Sequence, residues 1–133
     1  MRPMSLPASA ILAITPQGLF CPLGGFHIDP TRPVDRALIT HGHSDHARSG
    51  HGAVLATAET LAIMGVRYGE DFAGATQAAA LGRTIRMGEV DVRFVPAGHV
   101  LGSAQIVVEA GGTRIVVSGD YKRARDPTCL PYE

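Results

Sequence analysis

An α/β fold, built as a mixed β-sheet with few helices, is what this 133-residue chain predicts, and three observations carry it. Ala37-Leu38-Ile39, ending at Thr40, is a continuous apolar run of the kind found in strands buried on both faces. Further on, two pairs of β-rich runs are each joined by a glycine-containing turn. Only one stretch reads as a helix, with Thr57 placed to cap its start and Gly69 to end it.

Taken in order, Ile11 to Thr15 reads as a short apolar run ended by the turn residues Pro16-Gln17-Gly18, with Leu19-Phe20-Cys21 pairing back onto it. Phe26-His27-Ile28-Asp29 alternates and stops at Pro30. Ala53-Val54-Leu55-Ala56 is another buried run. Thr57 then caps a helix with Glu59 in its first turn, running through Leu61, Met64 and Tyr68 to Gly69. The segment Asp71 to Gly82, rich in small residues, shows no period and receives no element. Thr84 to Met87 and Val90 to Val95 flank Gly88-Glu89 as a hairpin. In its second strand Val90, Val92 and Phe94 share one face while Asp91 and Arg93 share the other. Ala104 to Glu109 and Thr113 to Ser118 flank Ala110-Gly111-Gly112 as a second hairpin. The sequence stops in the loop Asp126-Pro127-Thr128-Cys129-Leu130-Pro131-Tyr132-Glu133 without a closing element, so a fragment is expected.

Composition narrows the class. The hydrophobic fraction is 45% and the charged fraction 18%, ordinary for a globular protein. Twelve basic and twelve acidic residues leave no net charge, so global electrostatics argue for neither a nucleic-acid nor a membrane partner. Cys21 and Cys129 lie far apart with no CxxC pair and read as free thiols. Pro3 and Pro7 interrupt the N-terminus, so no signal peptide is expected. No apolar stretch is long enough to span a bilayer. The expected location is cytoplasmic.

The chemistry is concentrated at Thr40 to His46, T-H-G-H-S-D-H, which holds three of the six histidines. Such crowding is costly unless something positive sits among the side chains. His41 and His43, two apart, fall on one side of extended backbone. Asp45 and His46 then turn to a neighbouring position, helped by Gly42 and Ser44. Imidazole with carboxylate suits zinc or a similar borderline ion, and so tight a loop feeds two ions more easily than it wraps one. His99, in P-A-G-H-V-L-G-S-A, follows the run Val90 to Val95. Asp120, in V-V-S-G-D-Y, follows Thr113 to Ser118. Alone they would read as a loop histidine and a turn aspartate. Their equivalent placement just past strands makes both candidate ligands.

H-G-H-S-D-H resembles the HxHxDH signature of the metallo-β-lactamase superfamily, with His99 and Asp120 fitting its third and fourth metal-binding motifs. G-H-V-L-G-S-A followed by G-G-T-R-I-V-V-S-G-D-Y is similar to the β-CASP nucleases. Within them G-G-F-H-I-D-P-T-R-P-V, D-H-A-R-S-G-H-G and D-P-T-C-L-P-Y-E resemble the bacterial DNA ligase-associated exonucleases. The resemblance implies a metallo-β-lactamase-like αββα sandwich, here its N-terminal half, without the inserted β-CASP domain and the C-terminal half.

It also implies two zinc ions, with manganese as the alternative. His41, His43 and His99 would hold one and Asp45 and His46 the other, with Asp120 bridging. No histidine follows Asp120, so the second site is incomplete in this chain. Asp29 would orient the metal loop by hydrogen bonding; it reads equally as a strand-end residue starting a turn before Pro30. The implied reaction is exonucleolytic hydrolysis of DNA, in DNA repair, by a water bridging two ions roughly 3.5–4 Å apart. Asp45 and Asp120 would be the catalytic carboxylates, and an ATP-dependent DNA ligase the functional partner. An RNA-processing nuclease, a small-ester or thioester hydrolase and an inactive fragment are the competing readings. Lys122-Arg123-Ala124-Arg125 could steer phosphate or be a solvated basic loop, and His51 reads as a loop residue, or at most one that supports the ligands from behind.

Overall fold

The computed structural model describes residues 7–42, 47–96 and 104–118. A single helical turn, α1 (Ala8–Ile11), precedes β1 (Ala13–Thr15), β2 (Gly18–Cys21), β3 (Phe26–Ile28), β4 (Arg36–Leu38) and β5 (His51–Ala56). Then come α2 (Ala58–Tyr68), β6 (Ala73–Ala78), β7 (Thr84–Met87), β8 (Val90–Pro96), β9 (Ala104–Ala110) and β10 (Thr113–Ser118). Ile11 thus ends a helical turn instead of starting a strand: the Ala10 N–H donates to the Pro7 carbonyl at 2.9 Å.

The first six strands form one mixed sheet in the order β1-β2-β3-β4-β5-β6, and the last four form a second in the order β10-β9-β8-β7. The first sheet begins as an antiparallel meander and becomes parallel from β3 onward. The second is antiparallel throughout. Strand alternation then decides the layers. Phe26, Ile28, Leu38 and Leu55 face Val90, Val92, Phe94, Ile106 and Val108 across the sandwich. Ala37, Ile39, Val54 and Ala56, on the other face of the first sheet, pack with Met64 of α2 and with Phe72. The described residues therefore stack as helix, sheet, sheet.

Local chemistry explains each stop. The Thr57 hydroxyl accepts from the Thr60 N–H at 3.2 Å, and Gly69, at φ 94°, ends α2 with its N–H on the Gly65 carbonyl. Gly111 and Gly112 both have positive φ, 57° and 81°, as the tight turn from β9 into β10 demands. The segment without a period holds β6, last in the order of the first sheet and exposed from Gly74 to Ala78, so no apolar alternation marks it. A Cβ on Gly74 would lie 2.6 Å from the Gly52 carbonyl oxygen, so β6 lies this close to β5 because position 74 is glycine, whereas a Cβ on Gly52 would meet the Asp35 carbonyl oxygen at 2.7 Å. His51, expected in a loop, opens β5 and is buried. Among the described residues no helix is long and apolar enough to cross a membrane.

Candidate metal centre

Thr40, one residue past the run that carries β4, is buried and bonded on every side. Its N–H donates to Asp29 Oδ1 at 2.8 Å and its hydroxyl to Asp29 Oδ2 at 2.7 Å. Its carbonyl accepts from the Ala104 N–H at 2.8 Å, which ties the first sheet to the start of β9 in the second. Asp29 reaches it from a left-handed backbone, φ 47°, the one positive φ of a non-glycine among the described residues. Aspartate tolerates that conformation better than most side chains. The turn aims both carboxylate oxygens at a single residue while the Asp29 N–H stays on the Leu38 carbonyl.

His41 follows, itself buried, with Nδ1 3.0 Å from the Thr40 hydroxyl oxygen. A hydroxyl has one proton to give, and here the carboxylate takes it. Towards His41 the oxygen can only accept, so Nδ1 carries the imidazole hydrogen. In the neutral ring Nε2 is then the nitrogen with the lone pair, the form in which imidazole ligates a metal.

Two further hydrogen bonds come from the end of α2. Arg67 Nη1 donates to the Gly42 carbonyl at 2.5 Å, and the Tyr68 hydroxyl donates to the Ala47 carbonyl at 2.8 Å. Neither Thr40 nor this pair stands out in the sequence as functional. A threonine just past a buried run and two residues closing an amphipathic helix carry no distinctive pattern.

The remaining sequence candidates, His43, Asp45, His46, His99 and Asp120, lie outside the described residues, as do Cys129 and the basic stretch 122–125. Their described flanks converge. Pro96 and Ala104, either side of the segment with His99, pair with each other. Ser118, the last described residue before Asp120, pairs with Gln105. Ala104 in turn is bonded to Thr40, next to His41. Among the described residues no three His, Cys, Asp or Glu side chains gather as a metal site.

The other histidines sit apart from this cluster. His27 stacks on Phe20 with ring centroids 4.6 Å apart, and burial lowers its pKa. His51 accepts from the Val34 N–H at Nδ1, 3.1 Å, while its buried Nε2 has no partner among the described residues. Burial lowers its pKa too, helped by the neighbouring charge of protonated His27. Cys21 is buried, which pushes its thiol up.

A helix on a two-sheet sandwich, with a histidine-bearing loop leaving the first sheet where it is tied to the second, defines a recognisable class of α/β protein. Residues 29–132 match the metallo-beta-lactamase superfamily, and the chain belongs to it. It is 32% identical over 121 residues, 86% of its length, to a probable DNA ligase of Opitutus terrae, covering 12% of that protein. It is also 32% identical over 130 residues to the Thermus thermophilus protein named Ribonuclease TTHA0252, with 80% of this chain and 30% of the relative covered. An Endoribonuclease YSH1 of Gibberella zeae is 30% identical over 70% of the chain and 15% of its own length. The chain thus spans less than a third of these relatives. A metallo-beta-lactamase from Cronobacter sakazakii superimposes with a TM-score of 0.61 at 16% identity, over 87% of this chain and 63% of that one, a likeness of fold.

Proposed function

We propose that this chain is the metal-holding part of a nuclease of the β-CASP type, hydrolysing phosphodiester bonds in DNA from an end, in the manner of a DNA ligase-associated exonuclease. The observation that carries the reading is the relay Asp29–Thr40–His41, which presents His41 with Nε2 unprotonated at the point where the flanks of the other candidate segments meet. A histidine on a solvated loop needs no such support. The donor set fits a pair of zinc or manganese ions: His41, His43 and His99 for one, Asp45 and His46 for the other, and Asp120 between them. Such ions would supply Lewis acidity towards the phosphate and a water acidified to about neutral pH. The residues do the rest. Asp29 and Thr40 hold His41 in one tautomer and one orientation, and the carboxylates Asp45 and Asp120 balance the positive charge.

The Opitutus terrae relative named as a probable DNA ligase supports DNA as substrate and a ligase as partner. The relatives named as ribonucleases favour a second reading, RNA in the same site. A panel of end-labelled single-stranded DNA, duplex DNA and RNA, with zinc or manganese added, separates them. Mononucleotide release from DNA that is lost in His41→Ala is the expected result. Faster cleavage of RNA would transfer the proposal to RNA, and hydrolysis of small esters alone would remove it.

A further inference from the structure

Two consecutive side chains at the C-terminal end of α2 grip the two ends of one short loop. Arg67 Nη1 donates to the Gly42 carbonyl, and Tyr68 donates through its hydroxyl to the Ala47 carbonyl. Between those two carbonyls lie His43, Ser44, Asp45 and His46. Gly42 itself lies against the helix, since a Cβ there would fall 2.9 Å from Ile63 Cγ2. The Arg67 guanidinium lies 5.7 Å from the Tyr68 ring centroid, so the two side chains also steady each other.

A packed helix is a rigid ruler. Both donors come from adjacent residues of one turn, which ends at a glycine cap and is anchored by buried Met64 beneath it. The span between the Gly42 and Ala47 carbonyls is therefore set by α2. We propose that Arg67 and Tyr68 are positioning residues for the metal loop, holding its two ends so that the donors between them meet the ions at the right separation. This rests on the two-metal reading above. Metal ligation is sensitive to such support, and loss of a partner that orients a ligand typically weakens metal binding roughly 10–100-fold. Arg67 is exposed, and Tyr68, half-buried, packs its ring on the core beneath α2, a contact that Tyr68→Phe keeps.

The test measures zinc affinity by competition with a chromophoric chelator for wild type, Tyr68→Phe, Arg67→Met and Arg67→Lys. Thermal unfolding and amide exchange of residues 41–48 are followed on the metal-free forms. Affinity about 10-fold weaker in Tyr68→Phe and Arg67→Met, partly restored in Arg67→Lys, with melting temperatures near wild type, is the expected result. Wild-type affinity in both variants would overturn the proposal, as would a lowered melting temperature with affinity unchanged. If wild type itself binds no zinc, the two-metal reading fails, and amide exchange alone judges the grip. Faster exchange confined to residues 41–48 in the variants would keep it as a brace on the loop, and unchanged exchange would end it.

Discussion

Replacing Thr40 by valine removes one oxygen and almost no volume, and it should cost far more than its size suggests. The lost hydroxyl donates to Asp29 Oδ2 at 2.7 Å and lies 3.0 Å from His41 Nδ1. A hydrogen bond to a charged group contributes about 1.5–3 kcal/mol, and a buried donor left without an acceptor costs about 1–3 kcal/mol. The two losses share one atom and do not simply add. A destabilisation of roughly 2–4 kcal/mol is expected, read as the shift in urea unfolding of metal-free Thr40→Val against wild type. Thr40→Ser keeps the hydroxyl and should recover most of it. Zinc affinity should fall roughly 10–100-fold in Thr40→Val, because His41 loses what sets its tautomer. Stability within about 0.5 kcal/mol of wild type, with zinc affinity unchanged, would refute the relay as a determinant of either.

Asp29→Asn leaves a side chain that still tolerates left-handed backbone, but its amide would offer a hydrogen to the Thr40 hydroxyl. The hydroxyl would then turn its own proton on His41 Nδ1, shifting the imidazole hydrogen to Nε2, so zinc affinity should drop about 10-fold or more, with some loss of stability because the Thr40 hydrogen bonds no longer meet a charge. Unchanged affinity on chelator competition would contradict this. His51 is held neutral by burial, with its pKa below the ordinary 6.5. Below that pH the unfolded chain binds the extra proton and the folded chain does not, so stability falls as pH drops from about 6.5 towards the lower folded value. In His51→Asn, Oδ1 can still accept from the Val34 N–H and nothing titrates, so urea midpoints at about pH 7.5 and about pH 5 should differ less than in wild type; an equal difference would refute the assignment. Gly74→Ala should destabilise by about 1–3 kcal/mol through the clash with the Gly52 carbonyl, and a loss under about 0.5 kcal/mol would mean β6 does not lie as close as described.

What sequence reveals here depends on whether a residue's neighbours are its own neighbours in the chain. Val90, Val92 and Phe94 alternate because one face of β8 is core, and that alternation is local. The cap at Thr57 and the stop at Gly69 are local as well. β6 carries no period because it ends the first sheet and is exposed from Gly74 to Ala78, so no alternation of apolar residues is needed, while Gly74 answers to the Gly52 carbonyl on another strand. His51 reads as a loop residue, yet it begins a strand, and Gly50 beside it donates to the Phe72 carbonyl, both through contacts distant in sequence. The histidines of Thr40 to His46 are conspicuous by density alone. Thr40 becomes a hub only once Asp29, eleven residues earlier, turns back on it. The grip of Arg67 and Tyr68 spans 25 and 21 residues, too far for any local pattern to register.

The most direct test of the account is the protonation state of His41 itself. Long-range proton–nitrogen NMR of the 14.0 kDa chain, labelled with nitrogen-15, reads which ring nitrogen carries hydrogen. The account predicts hydrogen on Nδ1 in the metal-free protein and a shift of the unprotonated Nε2 resonance as zinc is added. Hydrogen on Nε2, or an Nε2 resonance that zinc leaves in place, would contradict it.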